Sequence, residues 1–187
     1  MSYPRLGQPL PLALVNTRYA QSGQPRDALA TPAALDAWLR LTDLPLTTTD
    51  ASDAVALERF RTLRSALRVL FQSVADQADP PVAAVELLNR LSAAAPVVAR
   101  LEWRDGAARL SSAALAATSV DAALASVARA AMTLLAGPDA SRIRACHGPG
   151  CVLFFLAERR RRDWCSPACG NRARVARHYR RHRAAQL

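Results

Sequence analysis

Four cysteines, Cys146, Cys151, Cys165 and Cys169, are the residues of this sequence best suited to chemistry. They read Cys-x4-Cys, then thirteen residues, then Cys-x3-Cys, so two close pairs flank a stretch long enough to fold back on itself. Zinc takes four ligands at tetrahedral corners about 2.3 Å from each sulfur, and two close pairs supply two edges of that tetrahedron with little loop-closure entropy. The first pair brackets His147-Gly148-Pro149-Gly150, a glycine-rich turn that can curl backbone amides toward sulfur. The second straddles a helix start: Ser166 suits the N-cap, Pro167 the first helical position, and Cys169 the first turn, where the helix dipole favours thiolate. His178 and His182, four apart, would complete a two-Cys, two-His set with Cys146 and Cys151. That set would need a 26-residue gap, where such fingers use about 12, and it would strand Cys165 and Cys169. The four-cysteine set is preferred, and because it leaves no open position the zinc is read as structural.

The elements that must carry this centre form a short knuckle, then a hairpin that begins with the strand-like run Val152–Leu156, carries Arg159 to Arg162 and leads back through Arg162-Asp163-Trp164, and then a helix from Pro167. That order is treble-clef-like, and a segment with so few apolar residues should fold only with its metal. Ahead of it, Thr31-Pro32 and the Leu35, Trp38, Leu39 spacing predict a helix over about 32–42. Val55 to Val74 gives the longest amphipathic helix, and Val85 to Leu91 another. Val97 to Ser112 with Asp105-Gly106 at its centre predicts a β-hairpin. Val120 to Leu135, stopped by Gly137-Pro138, gives a last helix. Leu12–Val15 fits a strand or a first helical turn, and periodicity does not choose. The expected fold is mainly α with a small β-hairpin over residues 1–140, followed by a small treble-clef-like zinc module over 141–187.

Charge divides the chain at the same place. All 25 basic residues are arginine, against 15 acids. The segment from Arg142 onward holds 12 arginines against Glu158 and Asp163, so the whole net charge of +10 lies there. Arg159, Arg160, Arg161 and Arg162 precede the helix, and Arg172, Arg174, Arg177, Arg180, Arg181 and Arg183 surround it. Such density is an electrostatic footprint for phosphate, although an arginine-rich composition also gives simple solvated faces. Asn171 and Arg172 suit either base contacts or support of the zinc site.

The 140 residues ahead of the module contain no His or Cys, no phosphate-binding glycine loop and no nucleophile elbow, so no enzyme is expected. Asn16, Thr17 and Arg18 are the one polar cluster that suggests a small-molecule effector site. No apolar stretch is long and uncharged enough to span a bilayer and no leader is recognised, so a cytoplasmic setting without membrane contact is the default. In a reducing compartment clustered cysteines favour metal over disulfides.

The run Trp164-Cys165-Ser166-Pro167-Ala168-Cys169-Gly170-Asn171-Arg172 resembles the CGNR zinc finger. The upstream Leu12-Ala13-Leu14-Val15-Asn16-Thr17-Arg18, the Trp38-Leu39 helix, the long arginine-bearing helix and the hairpin look like its usual partner, the ABATE domain. The resemblance implies that Cys146, Cys151, Cys165 and Cys169 hold the zinc, and that the chain is a stress-induced transcription regulator binding DNA. The sequence departs from the family pattern at Leu156-Ala157-Glu158 and at Pro167. The body would then sense a ligand or form a homodimer. The competing readings are an adaptor for RNA or an acidic protein, and a small-molecule-binding body with no DNA role.

Overall fold

The computed structural model describes residues 7–42, 44, 52–115, 118–158 and 162–184. The Leu12–Val15 segment is helical, in α1 (Leu10–Val15). Leu12, Leu14 and Val15 are fully buried, so tertiary burial decides what the short apolar run leaves open. Next comes a hairpin of β1 (Arg18–Gln21) and β2 (Gln24–Asp27), turned by Ser22 and Gly23 at φ 50° and 78°. The sequence predicts one hairpin ahead of the zinc module and the structure has two. These largely exposed strands lack apolar alternation, and the Ser-Gly pair is their sole turn signal.

The predicted helices are present as α2 (Pro32–Arg40), α3 (Ala54–Asp76), α4 (Val82–Ala94) and α5 (Ser119–Ala136). Thr31, Asp53 and Thr118 cap three of them, each side chain accepting from a backbone N–H of the first turn. The hairpin of β3 (Val97–Arg104) and β4 (Ala107–Ala114) joins α4 to α5 through Asp105-Gly106, both at positive φ. Leu101 and Leu110 oppose each other on it and remain exposed, as does Trp103. By length and composition α5 could cross a bilayer. Its eight buried residues include Ala123, Val127, Ala128 and Ala131, small side chains that let α4 and α1 pack closely.

The core is organised around α3. Leu57, Phe60, Leu63, Leu67, Leu70 and Phe71 recur at helical spacing and are buried against α1, α2, α4 and α5. Each such side chain contributes about 1.5–3 kcal/mol on burial. The same face carries Arg64, which is 4% exposed. It grips Asp27 through two hydrogen bonds of 2.6 and 2.7 Å and donates to Thr17 Oγ1 at 2.9 Å, tying β2 and the end of α1 to α3.

The chain then enters a 3-10 turn (Ala140–Arg142), β5 (Ile143–Ala145), β6 (Phe154–Leu156) and α6 (Pro167–Ala184). β5 and β6 pair antiparallel. The strand-like run therefore pairs backward with residues ahead of Cys146, and the first cysteine pair lies at the hairpin's tip. Ile143 and Phe154 belong to the same buried cluster as Phe60 and Phe71, and the Phe71 and Phe154 rings are 6.1 Å apart. One hydrophobic core thus runs from the helical body into the cysteine-bearing segment.

Candidate metal centre

The β5–β6 ladder continues one step beyond β5, where Cys146 N donates to Leu153 O at 2.9 Å. The chain turns through Gly148 and Gly150, with Cys151 N donating to Gly148 O. Cys165 and Cys169 arrive from the start of α6, where the Cys169 amide donates to Ser166 Oγ at 3.3 Å. Gly170 lies under the Trp164 ring, at a spot where a Cβ would come within 3.2 Å of it and crowd the ring.

These two grips bring the four sulfurs within 4.8 Å of one another. Cys151 and Cys165 Sγ are 3.8 Å apart, Cys165 and Cys169 Sγ 3.5 Å. A tetrahedron with zinc–sulfur bonds of about 2.3 Å has edges of about 3.8 Å. The cluster is therefore sized for one zinc ion, with three of its cysteines buried and Cys151 partly so. Backbone amides of Cys165 and Gly148 point at Cys146 Sγ at 3.3 and 3.5 Å, and Arg172 Nη2 lies 3.1 Å from Cys169 Sγ. Such N–H···S contacts spread the negative charge of a four-thiolate site.

The acid–base balance of the sulfurs points the same way. Cys146 is held far below the ordinary thiol value, chiefly by side-chain hydrogen bonds from Cys151 and Cys165. The reciprocal bond from Cys146 pushes Cys151 up to about 11, and pushes Cys165 higher still. These three sulfurs hold one another apart, Cys146 lowered and Cys151 and Cys165 raised, and a dication at their centre is the partner that lets them ionise together.

A methyl group on Gly148 would sit 2.8 Å from Cys169 Cβ and 3.3 Å from its sulfur. Because Cys169 is fixed in the first turn of α6, Gly148→Ala must displace a ligand. We expect its zinc affinity to fall about 10- to 100-fold, the range seen when the supports of metal ligands are lost. Competition against a chromophoric chelator measures this, and an unchanged competition curve would show that the turn has room to spare.

The remaining candidate residues divide by location. Arg162 donates to Trp164 O and Cys165 O and lies over the Phe155 ring, clamping the chain that leads back to the second pair. Asn171, Arg174, Arg177, Arg180 and Arg181 are exposed on α6. Arg183 is part of α6, but its side chain lies outside the described residues, as do Arg159, Arg160 and Arg161 entirely. Asn16 and Thr17 are buried in the fold, whereas Arg18 is exposed on β1. Asn16 Nδ2 donates to Phe154 O at 2.8 Å, and its Oδ1 accepts from Phe154 N at 2.9 Å, so one side chain takes the place of a neighbouring strand for β6. Gln8 Oε1 accepts from Leu156 N on the same edge. Arg68, which sequence reading did not single out, donates to Val152 O at 3.1 Å and covers the Phe154 ring at 5.2 Å.

A helical body whose core continues into a closed four-cysteine zinc site defines a zinc-finger protein with a folded N-terminal partner. Residues 8–138 match the ABATE family, described as "Putative stress-induced transcription regulator", and residues 142–182 match the CGNR zinc finger. The chain belongs to the ABATE family and carries a CGNR zinc finger at its C-terminal end. A search of curated proteins gives no match.

Proposed function

We propose that this protein is a zinc-dependent, DNA-binding transcription regulator that presents α6 to the duplex. The observation that carries the reading is the helix itself. It is 18 residues long with no acidic residue, so it extends about 27 Å, and the zinc ligands Cys165 and Cys169 fix its start. Exposed Arg174, Arg177, Arg180 and Arg181 project along it. At 100° per residue Asn171, Val175, His178 and His182 form one stripe turned away from Cys169 and Ala173. Arg174 and Arg181 flank one side of that stripe and Arg172 the other. A major groove about 12 Å wide admits such a helix, with the stripe toward base edges and the flanking arginines toward phosphates. The family description supports a regulator. The zinc site supports a binding role over catalysis, because sulfur fills all four corners and leaves none for a substrate.

The test is duplex binding by the zinc-loaded chain across a salt series, with Arg174→Ala and Arg181→Ala combined. Arg172 is left intact because its guanidinium serves Cys169. Each lost phosphate contact should lower the slope of log affinity against log salt by about 0.9. We expect the double variant to lose close to two such increments while retaining one zinc, and chelation to abolish binding. Salt-independent binding, or structured RNA outcompeting duplex, would overturn the DNA reading in favour of an adaptor.

A further inference from the structure

Outside the four-cysteine centre, one pair of metal-ligating side chains converges on a single point. His178 and His182 lie one turn apart on α6, with Nε2 atoms 3.1 Å apart and ring centroids separated by 4.3 Å. Both residues are exposed. They lie on the stripe turned away from Cys169, so the ion held by the cysteines cannot be shared with them. Of the chain's three histidines, only His147 lies elsewhere, in the knuckle.

Imidazole nitrogens bind borderline transition dications at about 2.0–2.1 Å. Two such nitrogens in adjacent coordination positions, at angles between square and tetrahedral, are about 2.9–3.4 Å apart. The observed separation falls inside that window. The helix sets the spacing in advance, since residues four apart stack on one face, and little remains to be ordered when an ion arrives. A single hydrogen bond between the rings would give the same distance, so the decisive property is whether the pair takes up a metal.

We propose that His178 and His182 form a second metal site, a two-nitrogen chelate for a transition dication such as Ni²⁺, Cu²⁺ or Zn²⁺. It differs from the cysteine centre in kind. Two protein ligands leave the other coordination positions to water or to oxygen atoms of a bound anion, so the ion exchanges readily and the fold does not depend on it. The arginines around it, Arg174 and Arg181 on one flank, repel a cation, so the site is weaker than the cysteine centre and fills only after it. The proposal stands whether or not α6 binds DNA.

Titration of the zinc-loaded, tag-free chain with Ni²⁺ alone, followed by calorimetry and by metal analysis after dialysis, tests it. The expected result is one nickel per chain beyond the resident zinc, with affinity reduced about 10-fold or more by His178→Gln or by His182→Gln. His147→Gln should leave that nickel in place, and the zinc content should stay at one in every variant. A wild-type chain that takes up no nickel at millimolar concentration would show that the rings are only hydrogen-bonded and overturn the proposal. So would a nickel site lost with His147 and retained without His178 and His182.

Discussion

Chelating the zinc is expected to unfold the C-terminal module and to lower the melting temperature of the whole chain. The module's own buried cluster is small, comprising Cys146, Leu153, Phe155, Ala157, Cys165 and Cys169. Half of those residues are metal ligands, so removing the ion leaves little apolar packing to hold α6 in place. A structural zinc of this kind supplies about 10–16 kcal/mol of apparent binding free energy, which is folding free energy when the site does not preexist. The loss should not stop at the module, because Ile143 and Phe154 are part of the body's core. We expect the apo chain to lose the helical circular-dichroism signal of α6, to show a shifted Trp164 emission, and to melt at lower temperature. Cys165→Ala should reproduce the apo state, and one equivalent of zinc should restore only the parent. Identical melting of apo and holo chains would contradict the shared core.

Asp27→Asn is expected to be the most damaging conservative change in the body. Arg64 is buried on α3, and its Nε has no partner among the described residues, so nearly all of its compensation comes from Asp27. Removing one partner of a buried pair leaves the other charge uncompensated and costs about 3–5 kcal/mol. Asp27 is partly exposed, with 32% of its side chain accessible, which places the expected loss toward the lower end. The same pair sets an acid limit. Burial alone would raise the Asp27 carboxyl. Hydrogen bonds from Arg64 and the Leu29 amide, with the charges of Arg64 and Arg61, overcome that and hold it below the usual carboxylate range. A carboxyl with a lower pKa in the folded chain than in the unfolded chain releases its proton more readily when folded. Its stabilisation is complete above the ordinary aspartate value of about 3.9 and disappears as pH falls through the folded value. Denaturation followed from pH 7 downward should show a steeper loss in the parent than in Asp27→Asn, so that the two approach each other in acid. A constant gap between them would assign the effect to packing instead of charge.

The parts of the molecule set by local spacing were legible in the sequence. Two cysteine pairs, a Ser-Pro helix start and the 3.6-residue period of α3 are short-range patterns, and the structure reproduces each. What escaped was non-local. The pairing of β6 with β5 depends on where the knuckle turns, and the apolar run Val152–Leu156 fits a partner on either side. The exposed β1–β2 hairpin has no apolar alternation to mark it. Asn16 drew notice as a polar residue beside an apolar run, which looks the same whether the amide faces a ligand or a backbone edge. Only its hydrogen bonds to Phe154 reveal the use made of it. Arg64 stands among the core positions of α3, and its partner Asp27, remote in the chain, is visible only in the structure.

The joint between Asn16 and β6 also governs the order in which the chain can fold. Its two partners are separated by 138 residues, and Gln8 and Leu156 by 148. Contacts this remote carry a large closure entropy before they return any stabilisation, and they slow folding relative to helical proteins built from neighbouring contacts. During synthesis α1 emerges well before the strand that seals its polar end. Until then the Asn16 amide and the Phe71 ring lack their contacts with Phe154. Docking of the β5–β6 hairpin is therefore a late step in closing the core around α3.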